Sequence, residues 1–215
     1  MTISEQPEPT TLAIESAIAG GSLSIVRDGV EIAGWVGDGG VSRAENLLPN
    51  ISYLLETSGV KKDEITKLAV STGPGSYTGI RIGIATALGL KNGLNIHCVG
   101  VSVTEAMRIV SFRDENIITA IPMGRNDVSY QEFRVENAQS SPKLTTFNEF
   151  LEFARSNAES EIIVEPSLYA RLLDMKPFGL TVTCTSDNLA YYIGLAASKT
   201  ESREGLEPLF VKAAS

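Results

Sequence analysis

The segment from Ser71 to Gly83, which reads STGPGSYTGIRIG, constrains the fold of this chain more than any other feature. It joins an apolar strand, expected at Leu68–Ser71, to a helix of small and apolar residues, expected from about Thr78 to Asn92. Free N–H groups at the start of a helix attract anions, and glycines let a ligand approach the backbone closely. The segment therefore predicts an α/β unit and raises the question of whether its turn holds a phosphate.

Two interpretations concern the turn itself. As a phosphate loop it has suitable glycines, but no Gly-Lys-Ser/Thr follows, so it is not a Walker loop. A dinucleotide fingerprint requires glycine at the sixth position of the pattern, where this chain has Thr78. The second interpretation is a tight strand-to-helix turn whose glycines serve only the backbone geometry.

A third interpretation concerns the helix behind the turn. Gly79, Gly83 and Ala87 are spaced at i, i+4 and i+8, so they lie in one row along the helix. A row of small residues lets another helix approach closely, and the rest of this helix is also largely apolar. The pattern favours burial against a helix pair of a partner protein, although the domain's own first helix is an alternative.

The first hundred residues predict the order β-β-β-α-β-α-β. Ser42 and Glu45 form a capping-box pattern that begins the first helix, which is expected to bend at Pro49 and to end at Gly59. A similar succession of strands and helices begins after residue 100, and it predicts a duplicated α/β unit. The expected strands of the first half are Thr11–Ile14, Ser22–Val26, Glu31–Val36, Leu68–Ser71 and Ile96–Val99, and the expected later elements are strands at Ile117–Ile121, Val128–Glu136, Ile162–Glu165 and Leu180–Cys184 with helices at Phe147–Arg155, Ser167–Met175 and Asp187–Lys199.

Composition excludes several classes of function. The net charge is −8 and Lys and Arg are not clustered, so direct binding to nucleic acid is not expected. No apolar run approaches the roughly 20 residues that span a bilayer, and Met1–Thr10 lacks the pattern of a secretory signal, so we expect a cytoplasmic protein. Cys98 and Cys184 are predicted to be packing residues rather than disulfide partners or metal ligands.

Catalytic candidates are few. His97 is the only histidine, so a metal site with two histidines is impossible, and we expect His97 to be structural. Glu165 ends an expected strand, where active-site residues of α/β folds often lie, and Arg125 follows another strand. Neither belongs to a recognisable catalytic group, so no catalytic, cofactor-binding or metal-binding residue is predicted.

One stretch of the sequence resembles the TsaB (YeaZ) family. It begins with GPGSYTGIRIG at Gly73–Gly83, continues with Ala85-Thr86-Ala87 in the following helix, and ends with VGVS at Val99–Ser102. Leu47-Leu48-Pro49 is similar to the family's first helix, and Glu207-Pro208-Leu209-Phe210 is similar to its closing segment. The likeness is strong from about residue 40 to 105.

This resemblance implies a duplicated two-lobed actin-like and Hsp70-like fold of the ASKHA, ribonuclease H-like class. It also implies a non-catalytic dimerisation subunit for making N6-threonylcarbamoyladenosine in tRNAs that read ANN codons. The implied partners are a TsaD-type transferase, a TsaE-type ATPase, a second copy of the chain when it is alone, and tRNA only through the complex. The M22 glycoprotease label of the wider superfamily rests on paired histidines, which this chain lacks.

Three departures from the family pattern concern the nucleotide site of ATP-binding relatives. Glu15-Ser16-Ala17 replaces the usual Asp-Thr-Ser, Val41-Ser42 replaces a usual histidine, and Met123-Gly124-Arg125 keeps only the arginine of Asp-Ala-Arg. These changes weaken a nucleotide site and leave the helix pair intact.

The sequence thus predicts a lobe at residues 1–100 that carries the helix pair, followed by an α/β lobe at residues 101–215. The alternative is a diverged actin-like ATPase or small-molecule kinase that uses the glycine turn. If the chain is a non-catalytic dimerisation subunit, Gly83→Arg is expected to separate the complex with its partner and leave the fold nearly intact. The predicted partner interface consists of Leu47, Ile51, Leu55, Gly79, Gly83, Ala87 and Leu90.

Overall fold

A computed structural model describes residues 9–38, 46–114, 116–134, 140–175, 179–199 and 205–211. These residues form ten strands and six α-helices, with short 3-10 turns at Lys62–Glu64 and Arg108–Val110. The first half contains β1 (Thr11–Glu15), β2 (Ser22–Arg27), β3 (Val30–Val36), α1 (Leu47–Ser58), β4 (Lys67–Gly73), α2 (Tyr77–Leu94), β5 (His97–Ser102) and α3 (Val103–Met107). The second half contains β6 (Ile117–Met123), β7 (Asp127–Phe133), β8 (Lys143–Thr146), α4 (Phe147–Ser156), β9 (Glu161–Val164), α5 (Pro166–Asp174), β10 (Thr181–Cys184) and α6 (Leu189–Ser198).

The two halves build two sheets with the same strand order. The first sheet is ordered β3-β2-β1-β4-β5 and the second β8-β7-β6-β9-β10 when it is listed from its matching edge. In each sheet the first strand of the half pairs antiparallel with the second strand and parallel with the fourth. This repetition confirms the predicted duplicated α/β unit.

Helix α6 belongs to the second half of the chain but packs on the first sheet, against β1 and β2. A Cβ placed on Gly194 would lie 2.8 Å from Val26 Cγ2 and 3.3 Å from Ala13 Cβ, and the Ala190 N–H donates to Ser22 Oγ at 2.9 Å. One apolar core therefore includes residues of both sheets and α6. The division at residue 100 stays a prediction, and the core of the first sheet requires residues from beyond it.

Helix α1 ends as expected, because Gly59 takes the left-handed conformation after it, with φ +71°. Pro49 is the third residue of the helix and so lies in the first turn, where a missing N–H removes no helical hydrogen bond. The physical reason for expecting a bend there is therefore absent. The capping box of Ser42 and Glu45 lies outside the described residues.

Two elements were not predicted. Strand β8 pairs antiparallel with β7 and leads directly into α4, whose first residue, Phe147, donates its N–H to the Asn126 carbonyl at 2.7 Å. The short helix α3 follows β5 and packs against α6 between the two sheets. Within the part of the chain that the structure describes, no helix is long and apolar enough to cross a membrane.

Candidate functional site

The glycine turn after β4 packs against the turn that follows β1. The Ser76 N–H donates to the Ala17 carbonyl at 2.7 Å, and a Cβ on Gly75 would lie 2.7 Å from Ala17 Cβ. Ser76 caps α2, since its Oγ accepts from the Gly79 N–H at 3.2 Å. The N–H groups of Ser76 and Gly79 are thus bound within the protein, and the space that a phosphate would need beside Gly75 is filled by Ala17.

The row of small residues on α2 faces the same β1 turn. The Ser16 hydroxyl donates to the Gly79 carbonyl at 2.9 Å, and a Cβ on Gly83 would overlap the Ser16 hydroxyl. Ala87 is fully buried on the same side of the helix. The small residues therefore let α2 approach the β1 turn of its own sheet, and the partner interface that was predicted to include them stays a prediction.

The same burial overturns the expected effect of Gly83→Arg. Position 83 has no outward space, because Ser16 lies directly over it and Val70 lies 3.6 Å from the added Cβ. An arginine there would displace the β1 turn rather than act on a partner alone. The substitution tests the fold and does not separate complex formation from folding.

An apolar groove lies between α1 and α2. It has a volume of about 390 Å³ and is open to solvent along Leu48, which is 55% exposed, and Gly89, where an added Cβ would meet nothing within 4 Å. We call it the docking groove. Its lining residues are Leu12, Leu48, Ile51, Ser52, Leu55, Lys62, Ile65, Gly89, Leu90, Gly93 and Leu94.

The docking groove divides the predicted interface residues into two groups. Ile51, Leu55 and Leu90 contribute to its lining. The other four predicted interface residues are buried in the core and do not line the groove: Leu47, Gly79, Gly83 and Ala87.

The predicted interface did not include the large exposed residues of this helix pair. Leu48 and Tyr53 on α1, and Tyr77 and Leu88 on α2, are all large and exposed. Leu48 lies three residues before the buried Ile51, and Leu88 lies four residues after the buried Ile84, so helical spacing alone does not identify them as exposed. Their exposure in the structure gives this helix pair a second, apolar face.

A second cavity, of about 450 Å³, lies between the β1 turn and the elements of the second sheet. Three of its lining residues are acidic, namely Glu15, Glu165 and Asp187. No Lys, Arg or His is present among the described residues that line it. We call this cavity the acidic cleft, and its described lining offers no cationic side chain to a nucleoside triphosphate.

Glu15 occupies the position where the family resemblance expects aspartate. It is 2% exposed, and its Oε1 accepts from the N–H groups of Ala17 at 2.5 Å and Ile18 at 3.0 Å. Burial raises its pKa to about 7, although these two N–H donors and the Ser71 hydroxyl act in the opposite direction. The carboxyl group therefore holds the β1 turn in shape.

The remaining candidate residues are Glu165, the two cysteines, His97 and Arg125. Glu165 caps α5, because its Oε1 accepts from the Leu168 N–H and its Oε2 accepts from the Ser167 N–H. Burial raises the pKa of the Cys98 thiol to about 11 and raises that of the Cys184 thiol. His97 is exposed at the start of β5, and Arg125 is exposed after β6. Over the described ranges, no group of three or more His, Cys, Asp or Glu side chains is placed to hold a metal ion.

Comparison with known proteins supplies a family and a fold. A family model described as TsaD, tRNA N6-adenosine threonylcarbamoyltransferase, matches residues 41–191. The tRNA threonylcarbamoyladenosine biosynthesis protein TsaB of Haemophilus influenzae is 30% identical over 115 residues, which are 52% of this chain and 47% of that protein. The chain thus spans about half the length of the curated relatives that it matches.

Solved structures confirm the fold. YeaZ from Pseudomonas aeruginosa aligns with a TM-score of 0.63 at 18% identity, covering 94% of this chain and all of that one. A protein of actin-like ATPase fold and unknown function from Bacteroides thetaiotaomicron aligns with a TM-score of 0.50 at 12% identity, covering 94% of this chain and all of that one. The two sheets therefore form the duplicated, two-lobed actin-like fold that was predicted. Because the family model matches most of its length, the chain belongs to the TsaD family of tRNA N6-adenosine threonylcarbamoyltransferases and, within it, to the TsaB (YeaZ) proteins.

Proposed function

We propose that this chain is a non-catalytic scaffold subunit in the formation of N6-threonylcarbamoyladenosine in tRNAs that read ANN codons. In this proposal it binds and activates a TsaD-type transferase in the cytoplasm. A TsaE-type ATPase joins the same complex, tRNA is reached only through the complex, and the chain forms a homodimer when no transferase is present. The names of its relatives support the pathway.

The observation that carries the proposal is the docking groove. Its lining is largely apolar and includes the exposed Leu48, and Leu88 adds exposed apolar surface next to Gly89. Burying apolar surface yields about 25 cal/mol per Å², so a helix that filled the groove would gain stability from every leucine that it covered. A helix laid in a groove between two helices is a common mode of recognition. A partner held in this way would be fixed in one arrangement on the chain.

The acidic cleft and the filled glycine turn favour a scaffold over the enzyme alternative. A nucleotide in the cleft would meet no Lys, Arg or His among the described lining residues, and the glycine turn that would hold its phosphates is packed on Ala17. The alternative, a diverged actin-like ATPase or small-molecule kinase, expects ATP turnover or stabilisation of the isolated chain by ATP. The scaffold proposal expects neither effect.

The decisive experiment is co-purification of the chain with the transferase of the same cell, using the wild type and Gly89→Arg. Position 89 borders the docking groove and has free space around an added Cβ, so the arginine can be accommodated without a change in the core. We expect Gly89→Arg to lower the affinity for the transferase at least tenfold, because a charged side chain would occupy the apolar groove. Replacing glycine within a helix also favours the helix, so the unfolding midpoint is expected to stay the same or rise.

The matched control is Ser156→Arg, which places the same charge on the exposed side of α4, away from the docking groove. It is expected to bind like the wild type. Depletion of the chain is expected to lower threonylcarbamoylation of tRNA, and re-expression of Gly89→Arg is expected to restore less of it than Ser156→Arg. Equal binding by both variants would contradict the docking proposal.

A further inference from the structure

The segment Gly205–Val211 lies across the ends of β4 and β5, and we call it the strap. The Leu209 N–H donates to the Thr72 carbonyl at 2.7 Å. A Cβ on Gly73 would lie 2.6 Å from the Leu209 carbonyl oxygen, and a Cβ on Gly100 would overlap the Gly205 carbonyl oxygen. Gly73 also has φ +108°, which side-chain-bearing residues rarely adopt. Both glycines therefore provide the close approach that lets the strap cross this edge of the sheet.

The far end of the strap reaches the outer face of α2. The rings of Phe210 and Tyr77 have centroids 4.7 Å apart, and the two residues are 43% and 57% exposed. Arg81 continues the contact, since its Nη1 donates to the Tyr77 hydroxyl at 3.1 Å and its guanidinium lies 5.2 Å from the centre of the Tyr77 ring. An aromatic pair thus stands at the start of α2, with an arginine beside it.

This aromatic pair is continuous with the rim of the docking groove. Tyr77, Arg81, Ala85 and Leu88 follow one another at intervals of four, four and three residues, so they share one face of α2, and all four are exposed. Gly89, which lines the groove, comes next. Phe210 of the strap therefore forms one end of an exposed strip of residues that runs along α2 to the docking groove.

The exposure of the two rings separates this contact from an ordinary packing contact. If the contact between Phe210 and Tyr77 only stabilised the fold, burial of both rings would give the largest gain in stability. Here each of the two residues keeps about half of its surface exposed, while the backbone of the strap is hydrogen-bonded to Thr72 and lies close to Gly73. Tyrosine and arginine that are held in place in this way are the residue types that most often dominate binding energy in interfaces.

We propose that the strap positions the partner-binding face of α2, and that Phe210 and Tyr77 form an aromatic anchor for the transferase-type partner. The proposal rests on the proposed function, because it extends the same docking surface. The backbone of the strap holds the glycine turn, and the ring of Phe210 orients the side chain of Tyr77 toward the partner. The chain segment after α6 thereby controls the affinity of a surface that is formed by the first half.

The test compares Phe210→Ala with Phe210→Tyr, which keeps the ring, and with Glu207→Ala, an exposed strap position without a described contact. We expect Phe210→Ala to weaken binding to the transferase about tenfold, which is the size of a moderate interface anchor, and to leave the unfolding midpoint unchanged. Phe210→Tyr is expected to restore most of the affinity, and Glu207→Ala to behave as the wild type. Unchanged affinity in Phe210→Ala, or a loss of affinity that is matched by a loss of stability, would overturn the proposal.

A second measurement uses the isolated chain and needs no partner. Leu209→Pro removes the N–H that donates to Thr72, so amide hydrogen exchange in residues 73–81 is expected to become faster than in the wild type while exchange in β6 stays the same. Equal exchange in residues 73–81 would show that the strap does not position the turn. If Gly89→Arg loses binding and Phe210→Ala does not, the strap proposal fails and the docking groove stands. If neither variant changes binding, the proposed function itself fails.

Discussion

Helices α1 and α2 on the first sheet occupy the same places in the repeated unit as α4 and α5 on the second, yet their outer surfaces differ. The outer face of α4 carries Asn148, Glu149, Glu152, Arg155 and Ser156. α5 exposes one large apolar residue, Leu173. By contrast, α1 and α2 expose Leu48, Tyr53, Tyr77 and Leu88 and enclose the docking groove. The same fold unit can therefore have a polar outer surface, as in the second half of the chain, or an apolar one, as in the first half.

The largest expected effect concerns the inner face of α2. Gly83→Arg forces a long charged side chain against Ser16, and we expect it to lower the free energy of unfolding by more than about 3 kcal/mol, because it combines overpacking with burial of a charge. Gly93→Arg, on the same helix where an added Cβ meets nothing within 4 Å, is the control, and its stability is expected to equal or exceed that of the wild type. Urea unfolding followed by circular dichroism measures both. Similar midpoints for the two variants would show that the two faces of α2 do not differ as described.

The second prediction concerns the pH dependence of stability and the carboxyl group of Glu15. Its pKa is about 7 in the folded chain and 4.5 ordinarily, so protonation favours the fold. The resulting stability is complete below about pH 4.5 and is lost as the pH rises through about 7, a change on the order of 3 kcal/mol. Glu15→Gln has no proton to lose, so its stability relative to the wild type should increase between pH 5 and pH 8.

The matched control for this experiment is Glu152→Gln, an identical chemical change on the outer face of α4. Its stability is expected to follow the wild-type pH profile. Free energies of unfolding at pH 5, 6, 7 and 8 give the comparison. A constant difference between Glu15→Gln and the wild type across this range would rule out the titration of Glu15 as its source.

The smallest effect distinguishes how the equivalent helices α1 and α4 begin. Thr146 and Glu149 form a complete capping box on α4, whereas Asn46 makes no side-chain cap on α1. Thr146→Ala is expected to cost about 1 kcal/mol of stability, and Asn46→Ala much less. Thermal unfolding of the two variants measures the difference. Equal losses would mean that Asn46 supports α1 through another contact.

Local patterns predicted much of the fold. Gly59 marked the end of α1, short β-like runs marked β1, β2 and β3, and the repeated succession indicated two similar sheets. Strand β8 was not predicted because Lys143-Leu144-Thr145-Thr146 is short and has only one apolar residue, and its pairing with β7 makes it a strand. The packing of α6 on the first sheet is a property of the whole topology, and no local pattern contains it.

The candidate site was harder to predict for a similar reason. The spacing of Gly79, Gly83 and Ala87 shows that one side of α2 is closely approached, but it does not say whether a strand, a turn or a partner approaches it. In this chain the neighbour is Ser16 of the β1 turn. Leu48 and Leu88 continue the buried rows of their helices in the sequence, and only the structure shows that both are exposed.

The position of α6 has a consequence for the order in which the chain acquires its structure during synthesis. The first sheet is complete in sequence once β5 has left the ribosome, but the helix that covers β1 and β2 is made nearly ninety residues later. Until then the Val26 side of the sheet lacks its covering layer, and the nascent chain has unburied apolar surface of the kind that chaperones bind. The first lobe, although made first, is completed only when translation of the second lobe is almost finished.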